Sequence, residues 1–200
     1  MSKKIIDIVL LPPENIMDIC IKINSQDPHA FSNLNKKNNF PHISLAMGAI
    51  ETKKLPAIKN IVKKIAESFK PISLKIIKTS HIITPANIKS YQLNFEKNNK
   101  ITKLHISIMN NLKNLLTYDV QPDMFYKNTS EEIDEVSMHW VKTYKSKASN
   151  PNNFNPHISL KCTKADYKNF PVKFNASQLA ICHMGKHGTC RKLLSSTLLT

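Results

Sequence analysis

Apolar residues recur along the chain with two periods, one typical of strands and one typical of helices. Residues 5–11 form a β-branched run that ends at two prolines, which predicts a buried strand. Apolar side chains three and four positions apart predict helices over residues 12–23, 55–69 and 101–116. These four segments form the framework into which the remaining strands must fit.

Further strands are predicted where short apolar or alternating runs are bounded by turn residues. They cover residues 43–50, 71–84, 88–96 and 157–162, followed by a terminal hairpin over 177–195 that turns at residues 185–188. This order of strands and helices favours an α+β fold, with helices packed outside antiparallel sheets, over one long parallel sheet.

Residues 118–155 form the least regular section of the chain. Thr129 and Glu132 fit a capping box at the start of a helix that would carry Ile133, Val136 and Trp140 on one face. The aromatic side chains of this section either stack on a base or cover the core, and the second interpretation is favoured; they are Phe125, Tyr126, Trp140 and Tyr144. The acidic side chains fit a first helical turn better than a metal site; they are Glu131, Glu132, Asp134 and Glu135.

The pentapeptide Pro-His-Ile-Ser-Leu occurs twice, at residues 41–45 and again at 156–160, each time in a predicted strand. Side chains alternate between the two faces of a strand. His42 and Ser44 therefore share one face, while the isoleucine and leucine can anchor the strand to a core. The same holds for His157 and Ser159. Each copy is a rigid mount for one imidazole and one hydroxyl.

A third, partial copy, His-Ile-Ser-Ile, begins at His105 inside the predicted helix 101–116. Two positions along a helix correspond to a rotation of about 200°, so His105 and Ser107 point in different directions. We therefore expect His105 to pack on the helix and to take no part in chemistry. His183 and His187 are four positions apart but span a glycine-containing turn, so a helical zinc pair is not indicated, although His183 could approach a cleft.

Two imidazoles in one cleft suit acid–base chemistry at a phosphodiester. A neutral histidine can accept a proton from the attacking oxygen while a protonated one donates to the leaving oxygen. Ser44 and Ser159 can then hold the nonbridging oxygens. Lys161 joins the face of His157 and Ser159 if the strand continues, and it is a further candidate for contacting phosphate. This chemistry requires no metal and no cofactor.

The two motifs resemble the signature of the two-histidine phosphoesterase superfamily, a pair of His-x-Ser/Thr-apolar motifs in two pseudo-symmetric lobes. The superfamily includes RNA 2′,5′-ligase-like proteins and 2′,3′-cyclic phosphodiesterases. The stretch "KLHISIMNNL" is similar to the helix between its motifs, and "MGKHGTCRKLL" is similar to its closing hairpin. The resemblance implies that residues 1–200 form one bilobal α+β domain, with two pseudo-symmetric antiparallel sheets and outer helices around a central cleft. It also implies that His42 and His157 are the acid–base pair and that Ser44 and Ser159 bind phosphate.

Residues 118–155 depart from the family pattern because they are longer and more polar than a minimal connection. They are interpreted as an insertion that could serve as a lid or contact the substrate. The resulting hypothesis is a metal-independent phosphodiesterase acting on a cyclic or 2′-linked bond in RNA or a nucleotide. Two alternatives stay open: an enzyme that degrades 2′,5′-oligoadenylate or cyclic oligonucleotide signals, and a nucleic-acid-binding module without activity.

The composition changes this picture little. The chain has 29 Lys and Arg against 14 Asp and Glu, a formal charge of +15. This surplus of positive charge is typical of proteins with an anionic partner, but an AT-rich genome would also explain the abundance of lysine. No apolar run approaches the roughly 18 residues of a membrane span. We therefore expect a cytoplasmic monomer without membrane contact. The four cysteines lack zinc-site spacing, so reduced thiols are expected, with a Cys182–Cys190 bridge as the alternative.

Overall fold

The strands of the protein form two antiparallel sheets of four strands each. The computed structural model describes residues 2–148 and 151–200. The strands are β1 (Lys3–Leu11), β2 (Ile43–Glu51), β3 (Ile72–Ile83), β4 (Lys89–Phe95), β5 (His157–Ser159), β6 (Val172–Ala176), β7 (Gln178–Gly185) and β8 (Thr189–Leu198). The first sheet has the order β2-β1-β7-β8 and the second has the order β5-β4-β3-β6. The predicted α+β class with two antiparallel sheets is thereby confirmed.

The strand β1 lies inside the first sheet and is buried on both faces. Ile6, Ile8 and Leu10 point into the main hydrophobic core. Val9 points to the opposite face, where it packs with residues of β7 and β8. Complete burial of an isoleucine side chain contributes about 1.5–3 kcal/mol, which explains why this run is β-branched and almost continuously apolar.

The helices are α1 (Glu14–Ser25), α2 (Leu55–Ala66), α3 (Asn99–Leu112) and α4 (Glu135–Ala148). The side chain of Asn98 caps α3 by accepting hydrogen bonds from the amides of Lys100 and Ile101. α3 ends before the predicted residue 116. The chain leaves the helix because Thr117 exchanges two backbone hydrogen bonds with Ala49 of β2, at 2.8 and 2.9 Å.

The section 118–155 contains the regular helix α4 of 14 residues. The predicted capping box is wrong, because Thr129 and Glu132 precede the helix by several residues. Asp134 takes the capping role instead: its Oδ1 atom accepts hydrogen bonds from the backbone amide and the hydroxyl of Ser137, at 2.8 and 2.6 Å. Glu131 is held outside the helix by Arg191, whose guanidinium lies 2.6 Å from its carboxylate.

The two copies of the pentapeptide lie at equivalent places in the two sheets. β2 is an edge strand of the first sheet, β5 is an edge strand of the second, and the two strands contact each other. α3 and α4 pack against β2, and α2 packs against β7 and β8. The fold therefore brings the ends of both motif strands together.

The cysteines only partly follow the expectation. Cys182 and Cys190 form a disulfide between β7 and β8, with their Cα atoms 5.5 Å apart, so reduced thiols are wrong for this pair. The tight turn of the hairpin places the two residues within disulfide range. Cys20 and Cys162 are free and buried. No helix in the described part of the chain is both long and apolar enough to span a bilayer.

Candidate active site

Both pentapeptides open onto a single cavity of about 340 Å³ between the two sheets. All five residues singled out in the sequence line it; they are His42, Ser44, His157, Ser159 and Lys161. The alternation argument explains the pairs, because each serine lies two positions after its histidine at the start of a strand.

The two histidines are held by the same local contact. The Nδ1 atom of His42 lies 2.6 Å from the carbonyl oxygen of Phe40, and Nδ1 of His157 lies 2.9 Å from the carbonyl oxygen of Asn155. A carbonyl only accepts hydrogen bonds, so in each ring Nδ1 carries the proton. The Nε2 atom of each ring therefore remains for proton transfer.

The two imidazoles differ in their surroundings. His42 is only 8 % exposed, whereas His157 is half-buried. Burial, together with the positive charge of Lys161, lowers the pKa of His42 to about 4. Burial also lowers the pKa of His157, with Lys161 adding to the effect and the carbonyl of Asn155 opposing it. Both rings are therefore neutral at pH 7 before an anion enters the cavity.

Lys161 reaches the cavity by a different route from the predicted one. The strand does not continue to this residue: Tyr91 bonds through its backbone to Leu160 and to Cys162 and bypasses Lys161, whose φ is +54°. This arrangement is a β-bulge, which redirects a side chain. The Lys161 ammonium donates to the carbonyl oxygens of His187 at 2.6 Å and Gly188 at 3.3 Å. Burial lowers the pKa of Lys161 to about 8, so the side chain is still mostly charged at pH 7.

Asp7 is a candidate residue that the sequence reasoning missed. It is 1 % exposed on β1 and accepts a hydrogen bond from the Ser44 hydroxyl at 2.6 Å. The same oxygen lies 3.7 Å from Nε2 of His42. Burial raises the pKa of Asp7 to about 7, while the Ser44 hydrogen bond and the charge of Lys161 oppose this shift. An acidic residue inside an apolar strand was the available signal, since aspartate is rarely fully buried without a partner.

Helix α4 supplies one wall of the cavity. Trp140 and Tyr144 line it, and the ammonium of Lys147 lies 5.1 Å from the centre of the Trp140 ring. Trp140 is only half-buried, so it is not the core residue that was favoured in the sequence. Phe125 is a core residue as expected, at 3 % exposure. The described section 118–155 thus contributes side chains directly to the cavity.

Of the other three histidines considered in the sequence, His187 lines the cavity, whereas His105 and His183 do not. His105 does not line the cavity; it is 1 % exposed, its Nδ1 lies 2.6 Å from the carbonyl oxygen of Leu45, and its ring stacks on Phe154 at 3.9 Å. His183 points away from the cavity, and its Nε2 lies 3.0 Å from the carbonyl oxygen of Met124. His187 does line the cavity, with its Nδ1 3.3 Å from the carboxylate of Asp134.

His105 nevertheless connects the two motifs. Leu45 is the extra residue of a bulge in β2, because Ile8 pairs with Ala46 whereas Val9 pairs with Ser44. His105 binds the carbonyl of this bulged residue and stacks on the segment that leads to His157. The partial third copy thus packs between the two complete copies. Across the described residues, no group of three or more histidine, cysteine or acidic side chains is arranged to hold a metal ion.

Comparison with known proteins gives a result at the level of structure only. No family model matches the sequence, and no curated protein matches it. Solved structures do match. Escherichia coli LigT in complex with NADP+ is 12 % identical, with a TM-score of 0.59 over 100 % of this chain and 99 % of that chain. LigT in complex with 3′-AMP is 11 % identical, with a TM-score of 0.56 and the same coverage. A protein described as a phosphoesterase is 12 % identical, with a TM-score of 0.58 and the same coverage.

The matches extend over the whole of this chain, so the bilobal fold around a cleft is that of LigT and related phosphoesterases. The resemblance to the two-histidine phosphoesterases, inferred from the repeated pentapeptide, is thereby confirmed for the fold.

Proposed function

We propose that this protein is a phosphodiesterase that cleaves a cyclic or 2′-linked phosphodiester in RNA or a nucleotide by acid–base catalysis between His42 and His157. One histidine takes a proton from the attacking water or hydroxyl, the phosphorus–oxygen bond breaks, and the other histidine protonates the leaving oxygen. Because two imidazoles supply both proton transfers, the reaction proceeds without a metal.

The observation that supports this proposal most strongly is the matched orientation of the two rings. Each Nδ1 is held by the carbonyl oxygen two residues earlier, and both rings line one cavity. A module that only binds phosphate would need cations and amides, but not two imidazoles with the same nitrogen left available. Lys161 and the hydroxyl of Ser159 provide the charge and the hydrogen bond that a nonbridging oxygen requires.

A nucleotide substrate is supported by the cavity wall that α4 supplies. Trp140 is half-exposed in the cavity, and stacking of a base on an aromatic ring is worth about 1–3 kcal/mol. LigT has been crystallised with 3′-AMP and with NADP+. The formal charge of +15 favours association with a polyanion.

The second candidate is an enzyme of the same mechanism that degrades 2′,5′-oligoadenylates or cyclic oligonucleotide signals. More than one aromatic ring around the cavity supports it, because such substrates present several bases. Phe31 and Phe154 also line the cavity and could contact a second base.

The test is a substrate panel assayed with and without EDTA. It contains 2′,3′-cyclic nucleotides, 2′,5′-oligoadenylates, cyclic dinucleotides and RNA ends. We expect turnover of at least one substrate in EDTA, and its loss in His42→Ala and in His157→Ala. If turnover of every active substrate survives both substitutions, the mechanism is wrong, and if EDTA abolishes turnover, the metal-independent proposal is wrong.

The role of Trp140 is tested separately. Trp140→Ala should raise KM for a base-containing substrate about tenfold or more, as expected for the loss of one stacked base. Phe125→Leu is the matched control, because Phe125 lies in the core outside the cavity. An unchanged KM in Trp140→Ala would contradict the stacking of a substrate base on this wall.

A further inference from the structure

His187 occupies a position whose backbone favours glycine. It lies in the turn between β7 and β8 with a φ of +58°, in the left-handed region that residues with a side chain rarely adopt. Gly188, which follows it, has a φ of +67°. Glycine would adopt both conformations without strain, and strained residues of this kind cluster at functional sites. The histidine at position 187 is therefore explained by its side chain and not by its backbone.

The backbone and the side chain of His187 have separate contacts. Its carbonyl oxygen accepts a hydrogen bond from the Lys161 ammonium at 2.6 Å, and its amide donates to the Ser137 hydroxyl at 2.7 Å. Any residue would supply these two backbone groups. The side chain lines the cavity, where its ring contacts Phe31 edge-on with the ring centres 5.3 Å apart. It is 23 % exposed, so a molecule in the cavity can reach the ring.

The carboxylate of Asp134 determines which ring nitrogen of His187 carries the proton. Nδ1 of His187 lies 3.3 Å from Oδ2 of Asp134. Burial acts to raise the pKa of Asp134, but the two hydrogen bonds from Ser137 and the nearby positive charges outweigh it and lower this pKa. Asp134 is therefore ionised at pH 7, and an ionised carboxylate only accepts hydrogen bonds. Its position favours the tautomer of His187 with the proton on Nδ1.

The charged groups around His187 keep its ring neutral at pH 7. Burial lowers the pKa of His187, and the charge of Asp134 opposes this shift. Lys161 and Lys186 add to the lowering, while Glu131 opposes it. A neutral imidazole with its proton on Nδ1 has an acceptor at Nε2. Within the part of the chain that the structure describes, this nitrogen has no hydrogen-bond partner.

This part of the cavity wall therefore presents acceptors to a ligand. Both the Nε2 atom of His187 and the carboxylate of Asp134 accept hydrogen bonds, and both residues line the cavity. A second phosphate would be repelled by the ionised carboxylate. A hydroxyl or an amine is neutral and supplies the proton that the acceptors lack. The ligand group that fits here is a hydrogen-bond donor.

The position of Lys161 indicates which donor of a nucleotide lies at this wall. Its ammonium, the cation proposed to hold the phosphate, bonds the carbonyl oxygen of His187 itself. The phosphate and the acceptor at Nε2 are thus separated by no more than the length of one histidine side chain. A sugar hydroxyl next to the phosphate falls within this distance, whereas an amine of the base lies beyond the sugar. Trp140, proposed to stack the base, comes six residues after Asp134, about 9 Å further along α4.

We propose that His187, oriented by Asp134, binds the sugar hydroxyl next to the phosphate and so selects ribose over deoxyribose. This inference rests on the phosphodiesterase function proposed above and adds a residue that determines its substrate class. A deoxyribose ligand leaves the Nε2 acceptor unpaired in the cavity, and an unpaired polar group in a binding site costs affinity. His187 takes no part in the proton transfers between His42 and His157.

The test measures binding of two matched pairs of nucleotides to the full chain by calorimetry at pH 7.5. One pair is 3′-AMP and 2′-deoxyadenosine 3′-monophosphate, and the other is 2′-AMP and 3′-deoxyadenosine 2′-monophosphate. Within each pair only the hydroxyl next to the phosphate differs. In at least one pair we expect the ribose form to bind about five- to tenfold more tightly, the scale of one net hydrogen bond.

Two substitutions at position 187 remove the imidazole without straining the turn. Asparagine and glycine both accept a left-handed backbone conformation. His187→Asn and His187→Gly should each bring the affinity ratio of the pair to about one. Their affinity for inorganic phosphate should stay unchanged, because the carbonyl that anchors Lys161 remains. His29→Asn, at an exposed histidine outside the cavity, is the control and should keep the wild-type ratio.

The wild-type protein provides a further measurement through pH. Protonated Nε2 donates and cannot accept, so the ratio should fall as the pH falls through the lowered pKa of His187. Titration of His42 and His157 affects both members of a pair alike and cancels in the ratio. Asp134→Asn keeps a side chain that can cap α4 but removes the charge that holds the proton on Nδ1. This variant should lose part of the ratio at pH 7.5.

The outcomes separate this inference from the function on which it rests. If the wild type binds these nucleotides with a ratio of about one in both pairs, or if both variants at position 187 keep the ratio, the function stands and the role of His187 is wrong. If the variants lose affinity for inorganic phosphate and for all four nucleotides alike, His187 only supports the turn and the inference is again wrong. If the wild type binds none of these ligands and cleaves no diester, the phosphodiesterase function is wrong, and the role of His187 with it.

Discussion

The two copies of Pro-His-Ile-Ser-Leu have the same sequence, the same edge position in their sheets and the same tether on Nδ1, yet they differ in what lies behind them. His42 is nearly buried beside the carboxylate of Asp7, whereas His157 is half-buried and has no such partner in the described residues. Ser44 donates its proton to that carboxylate. The comparison teaches that a repeated motif defines the geometry of a pair of groups, while residues from other strands define their protonation.

The largest expected effect tests whether both copies take part in the chemical step. His42→Ala and His157→Ala should each lower kcat by about 10²–10⁴-fold, the range for loss of one acid or base. The double variant should lose far less than the product of the two single losses, because groups that act as a unit are not additive. Steady-state kinetics on one diester measures all three. A single variant that keeps full activity would contradict the participation of both histidines in the chemical step.

The next prediction concerns the cation that the second copy contributes. Lys161→Met should lower kcat/KM by about 10²-fold, as for removal of one donor to a developing oxyanion. Because Lys161 lowers the pKa of both histidines, its removal raises both. A protonated imidazole cannot act as the base, so the acid limb of the pH–rate profile should move to higher pH. Lys164→Met, which changes an exposed lysine of the same loop, is the control and should leave the profile unmoved.

The two serines give a direct test of the difference between the copies. Ser159→Ala should weaken inhibition by inorganic phosphate about tenfold or more, the scale of a hydrogen bond to a charged group. Ser44→Ala should change it much less, since the proton of Ser44 already points at Asp7. Equal effects of the two substitutions on the inhibition constant would show that the serines are equivalent and would contradict the asymmetry.

The smallest effect on catalysis is expected from the histidine that joins the two copies. His105→Leu removes the hydrogen bond to the buried carbonyl of Leu45 and should cost about 2 kcal/mol of unfolding free energy. Thermal or urea unfolding measures this loss. Ser107→Ala is the matched control from the same partial copy, and it should be close to neutral. A His105→Leu variant as stable as the wild type would contradict the connecting role.

Much of the candidate site could be predicted from local sequence. Strand alternation alone places His42 with Ser44 and His157 with Ser159, and helical rotation separates His105 from Ser107. Each of these relations depends on a few consecutive residues, so no tertiary contact is needed to establish it. Most strand and helix segments were predicted for the same reason, since a buried face imposes its period on the residues that form it. The short strand β6 (Val172–Ala176) was not predicted.

The predictions that failed depended on contacts between distant segments. The strand after His157 was expected to carry Lys161 on the histidine face, but a bulge opposite Tyr91 redirects it. The capping box at Thr129 is the exception, because it was wrong for a local reason: the carboxylate of Asp134 caps α4 by accepting hydrogen bonds from Ser137, three residues later. Trp140 was expected in the core and lies in the cavity wall.

Local sequence was sufficient for the pairing of each imidazole with its hydroxyl, because backbone geometry repeats over a few residues wherever a strand forms. It was not sufficient for the difference between the two copies. Asp7 comes near His42 only because β1 and β2 pair, and Lys161 comes near His42 only because the two sheets meet at β2 and β5. Charge acts through space and not along the chain, so the protonation of two identical motifs is decided by the tertiary structure.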